Sequence, residues 1–550
     1  MRLSGLALGA AVLCAPPLAA QRADSLAITA AELGARLRLI SSDAFEGRYP
    51  GTRGETLTTT YLVNELKSFG LRGGAAPAGP DPAVLWLQPV ALLMHRPDSA
   101  SPNEARLSGR LTRTLEHGWD IRLVNLSARP EVQAGGELVF VGYGIRAPAY
   151  EWDDFRGLDL RGKVAVALLG EPDIPGDTVR FNGMRASRHS WSREKLDQME
   201  RLGATGVLWL QRAGTVSRSP VTGSRRLAAE ATGATLLFGG ALTDSTVAAL
   251  LPPGTPRLDS LIAAAARPGF RPVPLGVRLD VRFRTRPEVV TSHNVIATVP
   301  GRDRRLRNEH VVLSAHWDAY GIGPAVAGDS VYNGALDDGS GVTALLALAR
   351  VFARHPQPRS ITFLFTTAEE WGLLGARAFA CGGPLLPSRI VANVNLDGGN
   401  ELFGPTRDVA PLGIELSTLG QTVADVARRA GFAVTPDPYP AEGYFLRADN
   451  LPLAEAGIPA LYMALGTDGV GVPAGFVDQK IKEYLERSYH RPSDEYERVV
   501  LDLNGAKQFA EFVRDVTIAI AGAPQRPRWH RGAEFQRPAN TRPGAACPTQ

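Results

Sequence analysis

His310-Val311-Val312-Leu313-Ser314-Ala315-His316-Trp317-Asp318 is a short apolar run that ends on a histidine and a carboxylate. A run of this length and character fits a strand buried on both faces, as strands of a parallel sheet are. Working outward, a second strand run, Val295 to Val299, precedes it. A helical pattern from about Gly341 to Ala353 follows, then the strand run Ile361 to Thr366, another helix, and the strand run Val391 to Leu396. Strands alternating with helices predict an α/β fold with a mixed, mainly parallel central sheet flanked by helices. Such sheets deliver side chains from the carboxyl ends of their strands into a crevice.

Most of the metal-binding residue types of this region fall at those ends. His316 and Asp318 follow the first strand, a spacing that suits a ligand steadied by a neighbouring carboxylate. Asn333-Gly334-Ala335-Leu336-Asp337-Asp338-Gly339-Ser340-Gly341 sets two acids at the positive end of a helix. Capping needs only one acid, which leaves the pair and its surrounding glycines unexplained. Thr366-Thr367-Ala368-Glu369-Glu370-Trp371-Gly372 follows the next strand and is expected to open a helix. Adjacent glutamates point in different directions, so one can bind a metal while the other reaches a water. Asp397 follows Val391-Ala392-Asn393-Val394-Asn395-Leu396, and His490 lies in Tyr489-His490-Arg491-Pro492-Ser493-Asp494. Singly, each has a bland reading as a cap, a turn or a solvated loop residue. Together, two histidines (His316, His490) and three carboxylates (Asp337, Glu370, Asp397) supply the nitrogen and oxygen ligands that a pair of zinc ions needs, one carboxylate bridging. Cysteine is absent from the set, which disfavours a structural zinc site, and manganese or cobalt would accept the same ligands.

The remainder of the 550 residues bounds the context. Arg2, an apolar stretch from Leu6 to Ala15 and Pro16-Pro17-Leu18-Ala19-Ala20 have the layout of a secretory signal peptide cleaved after residue 20, so the mature chain is expected to be secreted or periplasmic, without stable membrane insertion. Lysines and arginines number 60 against 56 acids and are scattered, which argues against a nucleic-acid partner. Residues 21–119 read as the N-terminal part of the main domain. Residues 120–275 read as a strand-rich insert without chemistry of its own, 276–521 as the catalytic domain, and 522–550 as a disordered Pro/Arg-rich tail. The run from Ala75 to Pro82 reads as a flexible connection. Cys381 and Cys547 are distant, and whether they pair is left open. Oligomeric state is not readable.

These motifs resemble the aminopeptidase Y-like family of two-zinc exopeptidases, relatives of bacterial leucyl aminopeptidases and glutamate carboxypeptidase. Glu46-Gly47-Arg48 with Pro50-Gly51-Thr52 is similar to that family's N-terminal segment, and Asn294-Val295-Ile296-Ala297 to the start of its catalytic sheet. The insert resembles a protease-associated domain through Val141-Gly142-Tyr143-Gly144, Tyr150-Glu151-Trp152-Asp153-Asp154 and Gly203-Ala204-Thr205-Gly206-Val207. The resemblance implies the zinc exopeptidase fold and two zinc ions per chain. His316 and Asp397 would hold one, Glu370 and His490 the other, and Asp337 would bridge. It further implies Glu369 as general base for a bridging water, catalytic roles for Asp318 and Tyr489, Arg447 near the substrate, and hydrolysis of N-terminal residues from a peptide substrate. Where many relatives read Arg-Ser-Asp-His or Arg-Ser-Asp-Tyr, this chain has Arg447-Ala448-Asp449-Asn450, so the pocket beside the ligands departs from the family pattern. Carboxypeptidase action, glutaminyl cyclisation on the same fold, and a non-catalytic receptor-like module are the alternatives.

Overall fold

The computed structural model describes residues 26–74, 85–98, 103–177, 180–183, 185–214 and 222–536. The expected signal peptide and the Ala75–Pro82 connection lie outside the described residues. Its main feature is a 16-stranded sheet whose two halves share one strand, Val273–Val299. On one side of that strand the order is Ser360–Thr366, His310–His316, Ile390–Leu396 and Ala460–Met463, which pair in parallel with one another. Val273–Val299 joins them antiparallel, as does Leu87–Pro97 at its other edge. The predicted mixed, mainly parallel sheet is therefore present.

Its core follows from the pleat. Val311 and Leu313 belong to an apolar cluster with helices Ala30–Ile40, Gly341–Arg354 and Leu503–Gly522, while Val312 between them joins Leu374–Gly382 and Asn450–Glu455 on the opposite face. Strands covered on both faces need apolar side chains at every position, which is why they read as continuous runs. Gly341–Arg354 is rich in Ala and Leu, good helix formers, and is buried along most of its length.

The shared strand changes character along its length. Leu275, Val277, Leu279, Val281 and Phe283 are buried while Arg278, Asp280 and Arg282 between them and Arg284 after them are exposed, the alternation of a sheet with one wet face. This half pairs with Glu104–Gly109 and Glu131–Phe140. Beyond the latter come Lys163–Ala167, Gly206–Gln211, Phe238–Thr243 and Ile121–Asn125. One of the apolar clusters here runs from Ala105 to Phe283. Glu104–Gly109, which precedes residue 120, pairs with the same strand as Glu131–Phe140, and that strand continues past residue 275 into the sheet that carries His316.

One further expectation changes. The tail expected to be disordered from residue 522 is ordered over its described residues, Gly522 to Gln536. Trp529 Nε1 donates to the Gly457 carbonyl at 3.0 Å, and Phe535 is buried against Phe445 with ring centroids 5.8 Å apart. Two aromatics are enough to anchor a segment otherwise rich in Pro and Arg. Cys381 is disulfide-bonded, and its partner lies outside the described residues.

Candidate metal centre

Three neighbouring strands set out the site. His316 is the last residue of the middle strand, in register with Thr366 on one side, and Asp397 directly follows the strand on the other. Glu369 and Glu370 leave the Thr366 strand in a tight turn, with Ala368 at φ 53° and Leu373 at φ 61°. The helix they were expected to open starts only at Leu374. Asp337 sits in the loop before Gly341–Arg354, and His490 follows helix Phe476–Arg487.

These elements bring all five expected ligands together, in two groups that share Asp337. His316, Asp337 and Asp397 form one; Asp337, Glu370 and His490 form the other, each with its ligand atoms within 4.8 Å of one another. His316 Nε2 lies 3.0 Å from Asp337 Oδ1 and 3.7 Å from Asp397 Oδ1. His490 Nε2 lies 3.2 Å from the other oxygen of Asp337 and 3.2 Å from Glu370 Oε2. The two oxygens of one carboxylate thus face different histidines. Glu369 Oε2 stands 3.9 Å from His316 Nε2.

The remaining expected residues surround this pair. Asp318 differs in detail from expectation, since the neighbour that His316 Nδ1 meets at 3.1 Å is the Asp318 backbone carbonyl, with the carboxylate at 3.8 Å. That carboxylate instead accepts from the Glu369 backbone N–H at 3.1 Å and so fixes the Glu369 turn. The Tyr489 ring stacks on His490, centroids 3.6 Å apart, and its hydroxyl accepts from Arg447 Nη2 at 3.2 Å. Asp337, Glu370, Asp397 and His490, with Glu369, Tyr489 and Arg447, open into one cavity of about 280 Å³.

Sequence reading gave no role to the groups that hold the loops in place. Arg48 is fully buried and donates to the carbonyls of Trp317 (2.7 Å), Asn333 (2.6 Å) and Gly334 (2.8 Å), tying the His316 loop to the Asp337 loop. Asp494 accepts from the backbone N–H groups of Leu336 (2.9 Å) and Asp337 (3.2 Å) and from the Tyr484 hydroxyl (3.0 Å). Asp338, buried beside the shared carboxylate, accepts from the N–H groups of His316, Gly341 and Gly398. Tyr320 hydroxyl meets His490 Nδ1 at 3.1 Å. Two of them left a signal without an assigned contact: Arg48 in the Glu46-Gly47-Arg48 motif and Asp338 as the second acid of its pair.

Burial, opposed by His316 and reinforced by Asp397 and Glu370, holds the Glu369 carboxyl well above the ordinary carboxylate range. Burial likewise raises Asp397 and Glu370, and pushes Asp318 up to about 7. Asp337 goes the other way, because hydrogen bonds with His316 and His490 outweigh its burial. His490 is raised to about 9, its hydrogen bonds to Asp337 and Glu370 overcoming burial. Carboxylates crowded in a buried pocket repel one another unless positive charge sits among them. Nitrogen and oxygen donors converging on two points around a shared carboxylate are what a pair of divalent cations would require, so the residues fit such a pair.

Residues 294–517, which carry every one of these ligands, match the profile of peptidase family M28. This part of the chain is similar to M28 peptidases. Within it, similarity to curated proteins is local. The probable leucine aminopeptidase 2 of Aspergillus oryzae is 34% identical over 103 residues, 19% of this chain and 18% of that protein. The vacuolar membrane protease of Kluyveromyces lactis is 37% identical over 105 residues, 19% of this chain and 10% of that one. The chain thus spans less than a fifth of the length of these relatives. Among solved structures, the aminopeptidase from Aneurinibacillus sp. strain AM-1 superposes with a TM-score of 0.51 at 19% identity, covering 91% of this chain and 96% of that one. That likeness is one of fold, and it extends well beyond residues 294–517.

Proposed function

We propose that this protein is a secreted two-zinc aminopeptidase that removes N-terminal residues from peptides. The observation that carries the reading is Asp337, whose two oxygens face His316 on one side and His490 on the other. His316 and Asp397 would hold one zinc, Glu370 and His490 the second, with Asp337 common to both. Bound there, the ions supply the positive charge that acidifies water and polarises a scissile carbonyl. No helix among the described residues is long and apolar enough to cross a membrane, and the N-terminal signal pattern supports export.

The chain's own groups supply the rest. Glu369 belongs to neither ligand group, and its raised proton affinity suits a base that takes a proton from the attacking water and returns it to the leaving amine. Asp318 holds the Glu369 turn through the backbone N–H. Tyr489, kept protonated by burial, is placed to donate to the oxyanion of the tetrahedral intermediate, with Arg447 steadying its hydroxyl. The carboxylates around the cavity favour a substrate end that carries a free ammonium group.

The deciding assay compares free-amine, amine-blocked and carboxyl-terminal peptide substrates, with and without chelator and added zinc. Chelator-sensitive cleavage confined to free-amine peptides is the expected result. Cleavage that ignores blocking of the amine would sink the aminopeptidase reading.

A further inference from the structure

The cavity beside the candidate metal centre is not walled by residues 294–517 alone. Trp191 comes from the inserted unit, at the start of helix Ser192–Arg201, and lines the same cavity as Asp337, Glu369, Asp397 and Arg447. Its indole packs on the apolar cluster that includes Leu373, Leu412 and Tyr462, with Tyr444 alongside. Those residues line the same cavity and give it an apolar wall, where a side chain would lie once an ammonium group has been drawn to the carboxylates.

The Trp191 segment is fastened to the catalytic body at several points. Ala186 N–H donates to the Pro440 carbonyl at 3.0 Å, and Arg188 N–H donates to Glu534 Oε1 at 2.9 Å. Arg185 pairs with Glu415. Glu230 of the insert pairs at once with Arg193 of the same helix, at 2.5 Å, and with Arg377 of the catalytic domain, at 3.4 Å. On the insert's side, Lys195 is buried with its ammonium group donating to the Leu168 carbonyl at 3.1 Å. An indole held from both sides is a fixed wall, not a loose flap.

We propose that Trp191 is the residue that sets substrate specificity here, so that the insert and not the catalytic sheet fixes which terminal side chains enter. The inference rests on the aminopeptidase reading. The cavity of about 280 Å³ is walled in part by the Trp191 indole, so a terminal side chain beside the acids shares that space with it. Contact with the indole favours leucine-sized side chains, and its bulk turns away tryptophan-sized ones.

The test is kcat/KM for leucyl and tryptophyl anilides on the wild type, Trp191→Ala and Trp191→Phe proteins, with calorimetric binding of the products leucine and tryptophan. The tryptophyl-to-leucyl ratio should rise at least about tenfold in Trp191→Ala, mainly through KM, with Trp191→Phe in between. Leucine binding should weaken and tryptophan binding strengthen in the same order. Each ratio is taken on one preparation, so partial misfolding of a variant cancels. An active wild type with an unchanged ratio in Trp191→Ala overturns the role of Trp191 and leaves the aminopeptidase reading intact. A wild type that cleaves amine-blocked peptides but neither anilide overturns both.

Discussion

Glu369 stands 3.9 Å from His316 Nε2 yet lies outside both candidate metal-binding groups. A carboxylate in that position can exchange a proton without being tied up as a ligand, and it is held there by a turn whose N–H is pinned by Asp318. Replacing it by glutamine keeps the shape and removes the proton acceptor. Glu369→Gln should lower kcat by about 10² to 10⁴ while leaving zinc content and KM near those of the wild type. Turnover close to normal in fully metallated Glu369→Gln protein would remove Glu369 from the mechanism. Away from the site, His310 at the start of its strand hydrogen-bonds Thr362 through Nδ1 at 3.0 Å, and burial lowers its pKa to about 4. A base whose folded pKa is depressed contributes stability above its unfolded pKa near 6.5 and loses it as pH falls through the folded value. Stability should therefore drop between about pH 6.5 and 4, with His310 accounting for something of the order of 2 kcal/mol. Denaturant titrations of His310→Gln across that window should show a flatter acid limb; a slope equal to the wild type's would exclude the contribution.

At the scale of elements, two loops must meet, and Arg48 is what joins them. Its guanidinium satisfies carbonyls of both the His316 and the Asp337 loops inside a fully buried setting. Removing the donors leaves buried acceptors without partners. Arg48→Met should cost at least about 3 kcal/mol in unfolding free energy. It should also weaken zinc binding by more than the global loss explains, because Asp337 loses its register. Equilibrium unfolding of metal-free protein, set beside zinc titration, separates the two effects. This is also where sequence reading was strong and where it stopped. Ile361 to Thr366 and Val391 to Leu396 stood out because two-sided burial leaves an unbroken apolar run, and the helix read from Gly341 to Ala353 ends one residue later, at Arg354. His316, Asp337, Glu370, Asp397 and His490 were readable because chemistry-bearing types followed such strands or resembled a family motif. Arg48 and Asp494 were not, since a side chain that binds backbone carbonyls or N–H groups hundreds of residues away leaves no periodicity. Trp191 had no signal either, because its partners belong to the other unit. The Glu369–Glu370 turn was misread as helix because left-handed backbone at Ala368 and Leu373 has no marker in residues that ordinarily favour helices.

For the whole molecule, the carboxylates that crowd the cavity make the folded state depend on what neutralises them. Zinc that binds the folded chain alone adds stability by mass action, about 4 kcal/mol when free metal exceeds its dissociation constant a thousandfold. Chelation should lower the thermal midpoint by several degrees, and added zinc should restore it. A midpoint indifferent to chelator would argue that the cluster binds no ion in the native state. The two halves of the sheet bury separate apolar clusters, but the ion pairs around Glu230 and the packing of Trp191 tie them together.

The strand Val273–Val299 has a mechanical consequence. It is one uninterrupted rod through both units, laddered to Leu87–Pro97 from Thr285 to Val295 and to the insert's strands from Val273 to Arg284. A pull along its axis loads many rungs together, in shear, so none can fail alone. A pull across it opens rungs one at a time, like a zip. The strand should therefore resist a pull along its axis more than one across it, and a protease that nicks it would cut the one strand that both halves of the sheet share.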